Sequence, residues 1–148
     1  MRPVHVAVAL IEVGGRYLVC RRRGGSDFAR YWEFPGGKRR VGERWTACLR
    51  RELREELGVL IRGVRPVGRM SYRYPHRHVT FRIFRCQLAP GARPRAVSAS
   101  ALRWAAPNEL LRLRLPPANY ALMARHLRLL PGRRRRGTIK GVGRRDTR

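Results

Sequence analysis

Four of the chain's seven glutamates fall between Glu43 and Glu56, inside the run GGKRRVGERWTACLRRELREELGV that covers residues 36–59. The chain carries 35 Lys and Arg against 9 Asp and Glu, so crowding its few acids together requires a physical reason. Each Glu–Glu neighbour pair on an exposed helix costs roughly 0.2–0.5 kcal/mol. The same run also dictates local structure. Leu49, Leu53 and Leu57 recur at every fourth position, the stripe of a helix over 46–57, and Gly58 stands where a C-terminal cap belongs. On that helix Glu52, Glu55 and Glu56 lie within an arc of roughly 100°, beside the leucine stripe. One edge enters the core while its neighbour presents three carboxylates together.

Two readings account for the cluster. In the first, the helix is a salt-bridged surface helix in which Arg51 pairs with residues such as Glu55. In the second, the carboxylates hold hard divalent cations, which prefer oxygen ligands; Mg2+ commonly takes one or two protein carboxylates and completes its shell with water and substrate phosphate oxygens. Spacing decides between them. Gly37, five residues, Glu43, seven residues, Arg51-Glu52-Leu53, one residue, Glu55-Glu56, one residue and Gly58-Val59 form one pattern. Seven fixed identities at ~7% frequency each arise by chance on the order of once in 10⁸ windows.

This pattern resembles the Nudix box of the nucleoside-diphosphate-linked hydrolases. The resemblance implies an α+β chain with the Nudix fold, an α/β/α sandwich with a central mixed β-sheet and a catalytic loop–helix motif. It implies metal ligands at Gly36, Gly37, Glu52, Glu55 and Glu56, with Mg2+ as the cofactor and Mn2+ as an alternative. The glycines let the backbone turn and approach the metal, so a main-chain carbonyl can become a ligand. Glu52 is the first candidate for general base and Glu43 the second, and Arg51 is expected to fix the Glu43 loop on the helix.

Outside the box the chain is similar to the MutT-type 8-oxo-dGTP diphosphatases over residues 3–130. WEFPGGK, YRYPHRHVTF and LPPANYALMARHL carry this likeness. It implies hydrolysis of 8-oxo-dGTP to the monophosphate and pyrophosphate, and nucleotide contacts at Arg22, Glu33, Phe34, Pro35, Gly36, Arg77 and Asn119. The Asn119 amide offers both donors and an acceptor, so it can read a purine's O6/N7 edge, where oxidation at C8 turns N7 into a donor. Its alternative role is the N-cap of the last helix. One departure stands out. The loop RPRAVSASALRW contains no acid where MutT-type enzymes commonly contribute another carboxylate, and Ser98 or Ser100 occupies the stretch. Arg39-Arg40 also places positive charge beside the metal loop.

The rest of the chain reads as strands and turns. VHVAVALIEV at 4–13 is a buried strand, Gly14-Gly15 a hairpin turn, and 17–21 the returning strand. Further strands are expected at 64–72, 78–88 and 102–105, a helical turn at 107–110, and a second helix at 120–130. Residues 1–130 are expected to form the Nudix domain. Residues 131–148, GRRRRGTIKGVGRRDTR after Pro131, have almost nothing to bury and are expected to be a disordered basic tail, with weak nucleic-acid contact as its one candidate role.

The net charge of +26 points to anionic partners, yet codon bias accounts for it equally well, because only Lys38 and Lys140 among the basic residues are lysines. No apolar run approaches the ~20 residues of a membrane span, and no signal-peptide pattern opens the chain. Cys20, Cys48 and Cys86 are odd in number and widely spaced, which suits a reducing, cytoplasmic setting and buried thiols. A monomer without membrane contact is expected. Other readings keep the enzyme class with another NTP or the 5′ triphosphate end of RNA as substrate, or make the chain a non-catalytic nucleotide or nucleic-acid binding module.

Overall fold

A computed structural model describes residues 2–25 and 27–129. The expected basic tail at 131–148 lies outside the described residues. The described elements are β1 (Val4–Leu10), β2 (Glu12–Val13), β3 (Arg16–Arg21), β4 (Trp32–Glu33), β5 (Gly36–Lys38), α1 (Trp45–Leu57), β6 (Ile61–Tyr74), β7 (Arg77–Leu88), β8 (Ala101–Ala105), α2 (Pro107–Leu110) and α3 (Pro117–Leu122).

The larger sheet runs β5-β1-β7-β6, with β1 and β7 parallel and the other pairs antiparallel, so it is mixed. The smaller sheet is antiparallel, with β2 and β4 on β3 and β8 along the other side of β3. The Ala9 N–H donates to the Pro35 carbonyl and the Leu18 N–H to the Ile11 carbonyl, joining the two sheets where β1 ends. Alternation along the strands sends side chains to opposite faces. Ala7, Ala9, Leu18, Cys20 and Phe84 pack with Leu49, Leu53 and Leu57 of α1. Val8, Leu10, Val19 and Ile83 pack instead with Leu110, Ala118 and Leu122. The β-structure thus has helices on both sides, and the α+β architecture read from the sequence is the one observed.

Several boundaries differ from the sequence reading. The first strand breaks at Ile11, because β1 pairs with β7 while Glu12–Val13 turns to pair with β3. β6 is longer than 64–72. It is an outer strand of its sheet and carries register shifts between Arg62 and Arg65 and between Pro66 and Gly68, which accommodates a proline in the strand. The last helix begins at Pro117 rather than Tyr120 and is regular only to Leu122. A wide helical turn over Met123–Leu127 follows, and Arg128 ends it in a left-handed conformation. Proline suits the first helical turn, where its missing N–H would have no partner.

Candidate active site

The box helix is positioned by its leucines, which are fully buried, and closed by Gly58 at φ 66°, whose N–H donates to the Arg54 carbonyl. Glu56 is the one buried charged side chain among the described residues. The loop ahead of the helix lies across it at two glycines. Gly36 sits so close to the Ala7 carbonyl of β1 that a Cβ there would collide with it, and its φ of 149° also excludes ordinary side chains. A Cβ on Gly37 would strike the Glu52 carboxylate. Only glycines let the loop lie this near the helix.

Contacts sort the box glutamates into different environments. The Gly36 N–H donates to Glu56 Oε2 at 3.2 Å. Arg51 donates from Nε to Glu43 Oε2 at 2.8 Å and from Nη2 to Glu43 Oε1 at 2.9 Å. Its Nη1 reaches Glu52 Oε1 at 2.7 Å and Glu55 Oε2 at 3.3 Å, and Nη2 also donates to the Lys38 carbonyl at 3.0 Å. Arg51 therefore ties the loop, through Glu43 and Lys38, to the carboxylates of the helix. Glu55 is half-exposed and also pairs with Arg40 at 3.8 Å.

The electrostatics diverge accordingly. Hydrogen bonds from Arg51 hold Glu43 down at about 2. Burial pushes Glu56 up to about 8, with Glu33 and Glu52 nearby adding repulsion. Burial also raises Glu33, partly offset by Arg22, whose Nη1 lies 3.4 Å from Glu33 Oε2.

Glu52, Glu56, Gly36 and Gly37 line a cleft of about 790 Å3. Six of the seven residues expected from the sequence to contact nucleotide, Arg22, Glu33, Phe34, Gly36, Arg77 and Asn119, line the same cleft. Pro35 does not. It is fully buried beneath the cleft. Glu43, Arg51 and Glu55 stand outside the wall, with Arg51 behind Glu52. Asn119 is not an N-cap: the helix is capped at Pro116 without a side-chain bond, and the Phe34 N–H points at Asn119 Oδ1 at 3.5 Å.

Sequence reasoning missed several wall residues, among them Arg23, Asp27, Phe28 and Tyr74, while Ser98, which it placed where a further carboxylate is commonly found, also lines the cleft. Arg23 donates to the Ser98 carbonyl at 2.6 Å and the Val97 carbonyl at 3.1 Å, pinning the acid-free loop against the cleft. Tyr74 and Phe28 pack with ring centroids 5.4 Å apart, and the Tyr74 hydroxyl accepts from the Ala118 N–H. No spacing in the chain announces these contacts, since each joins segments distant in sequence.

The donor set suits a hard divalent cation. Among the described residues none of the ion pairs involves Glu56, a buried carboxylate flanked by two others. Two carboxylates and the nearby Gly37 carbonyl are all oxygen donors. Among the described residues no three His, Cys, Asp or Glu side chains form a preformed cage, which is compatible with a cation that completes its shell with water and phosphate.

The NUDIX domain model matches residues 1–126. The CTP pyrophosphohydrolase of Escherichia coli (strain K12) is 36% identical over 138 residues, covering 90% of this chain and 98% of that protein. The 8-oxo-dGTP diphosphatase of Haemophilus influenzae is 39% identical over 80 residues, 53% of this chain and 58% of its own length. The crystal structure of a MutT NUDIX hydrolase from Burkholderia pseudomallei superposes with a TM-score of 0.72 at 25% identity, over 80% of this chain and 94% of that one. With the NUDIX domain model matching most of its length and Glu52 and Glu56 of its box on one cleft, this chain belongs to the Nudix hydrolase family.

Proposed function

We propose that the protein is a Mg2+-dependent pyrophosphohydrolase of nucleoside triphosphates, with 8-oxo-dGTP as its substrate and nucleotide-pool sanitation as its role. The observation that carries this reading is the single cleft that holds both the Glu52–Glu56 pair and Asn119. The chain between them sets the scale. Phe34, beside Asn119, and Gly37, beside Glu52, are three residues apart, a span of at most about 10 Å. That suits a nucleotide whose base meets Asn119 while its phosphates lie over the helix.

Glu52, Glu56 and the Gly37 carbonyl would hold the cation. Bound there, Mg2+ supplies charge neutralisation for the polyphosphate and acidifies water at the site. Glu52, oriented by Arg51 Nη1, accepts the proton of the attacking water. Glu43 is a poor second candidate because its bonds to Arg51 hold it near the bottom of the carboxylate range, far from the optimum for a base. Arg22, Arg23 and Arg77 face the cleft and neutralise the remaining phosphate charge. Cleavage leaves a nucleoside monophosphate and pyrophosphate.

A second reading takes CTP as the substrate. It is favoured by the likeness to a CTP pyrophosphohydrolase across nearly that protein's whole length, against a little over half for the 8-oxo-dGTP diphosphatase. Pyrophosphate release with Mg2+ across 8-oxo-dGTP, dGTP, CTP, dCTP and triphosphorylated RNA separates them. The first reading requires 8-oxo-dGTP to exceed dGTP by at least about tenfold, ~1.4 kcal/mol. Equal rates for that pair end it, and a lead for CTP selects the second. Glu52→Gln should lower kcat by about 10²–10⁴, the usual contribution of a general base.

A further inference from the structure

The larger sheet has a second hollow on its far face. Along β1, Val4 and Val6 line the cleft, so His5 between them projects to the opposite side; along β7, Thr80 and Arg82 do the same between the cleft residues Val79 and Phe81 and the next core position. On that far side, beside the start of α1, lies another hollow of about 500 Å3, lined among others by His5, Arg39, Trp45, Arg69, Thr80 and Arg82. It has three guanidiniums in its wall and no carboxylate.

Three observations point to an anion there. First, Arg69 and Arg82 are register partners across β6 and β7, and like charges directly opposite each other on a sheet are destabilising. Second, none of the ion pairs among the described residues involves Arg39, Arg69 or Arg82. Arg39 Nη1 bonds the Glu43 carbonyl, but its Nε is buried without a hydrogen-bond partner. Third, the Trp45 ring collects these charges. The guanidinium carbons of Arg39 and Arg82 lie 5.0 and 5.4 Å from its centroid, and His5 meets the ring edge-on. Cation–π attraction to the indole holds the guanidiniums beside the hollow without consuming their N–H donors. Planar forks with unspent donors match the oxygens of a phosphate.

We propose that this hollow is a second anion site, separate from the active cleft, that binds a phosphate group. A free oligophosphate or nucleotide and the backbone of a nucleic acid share that chemistry. The test measures binding of inorganic tripolyphosphate and, separately, of a short oligothymidylate to the full chain in EDTA, by calorimetry and tryptophan fluorescence. It compares Arg69→Gln/Arg82→Gln with a control of equal charge loss, Arg62→Gln/Arg112→Gln. Arg69 is exposed and Arg82 half-buried at the surface, so both variants keep the core intact, and circular dichroism checks this. The site variant should bind at least about tenfold more weakly than the control, the loss of roughly one charge-assisted contact. Weakened tripolyphosphate binding identifies a free phosphate ligand; weakening confined to the oligothymidylate identifies a nucleic-acid backbone. Identical behaviour of site variant and control with both probes overturns the site, and nucleotide hydrolysis should be equal in both variants. The single change Arg39→Gln, which removes the buried unpartnered Nε, provides the second measurement and should reproduce the loss.

Discussion

Glu56 concentrates the tension of the site at the scale of a single side chain. Burial holds its carboxyl at about 8 against an ordinary 4.5, so between those values the folded chain keeps a proton that the unfolded chain releases. A raised carboxyl makes the stability of the metal-free protein fullest below pH 4.5 and progressively lost as pH climbs to about 8. Denaturant unfolding in EDTA should therefore show the parent losing a few kcal/mol relative to Glu56→Gln across that window, each pKa unit being worth ~1.4 kcal/mol. A parent and variant with parallel pH profiles would remove the conflict from the site. Glu43 behaves oppositely, since its lowered carboxyl contributes stability that is present above pH 4.5 and lost toward about 2. The sequence identified the glutamates as a group, because spacing is visible in one dimension. It ranked Glu52 ahead of Glu43 as base and expected Arg51 to hold the Glu43 loop, but it did not reveal the burial of Glu56, which depends on how the loop folds back. Asn119 was legible by its surroundings in LPPANY, and its capping alternative fell once Pro116 proved to be the cap. Asn119→Ala should relax base selectivity by ~1–3 kcal/mol in kcat/KM ratios across the nucleotide panel, with turnover of the least selective substrate retained.

At the scale of elements, legibility followed periodicity. The box helix was readable to within one residue because its leucine stripe and terminal glycine act locally, and Gly58 at φ 66° is the left-handed cap that such a position calls for. Gly58→Ala should cost about 1–2 kcal/mol, the strain of a Cβ in that conformation. The Arg95 guanidinium, 3.1 Å from where the Cβ would stand, is a flexible side chain that can withdraw. A denaturation midpoint unchanged from the parent would show that the helix end rearranges without strain. The final helix was less legible. The pattern from Tyr120 to Leu130 reads as continuous, whereas the backbone widens after Leu122 and turns left-handed at Arg128, which no local signal marks. The crossing from β4 to β5 was likewise invisible. Those short segments are strands only because β3 and β1 accept them, and partner strands cannot be read from two or three residues.

For the whole molecule, the open question from composition was whether the excess of arginine has any function. The cleft offers a physical route to an answer, because Arg21, Arg22, Arg23, Lys38 and Arg77 all line it and the substrate carries several negative charges. Substrate capture by a field of this kind is screened by salt, while a step between groups already in contact inside the cleft is screened far less. Raising NaCl from about 0.02 to about 0.5 M shortens the Debye length from roughly 20 Å to below 5 Å, and kcat/KM should fall by about tenfold or more while kcat changes little. The split between the two constants carries the argument. A fall shared by kcat would place the salt effect on the chemical step. A kcat/KM indifferent to salt would mean that the charge of +26 does not act on the substrate, leaving codon bias as its sufficient cause.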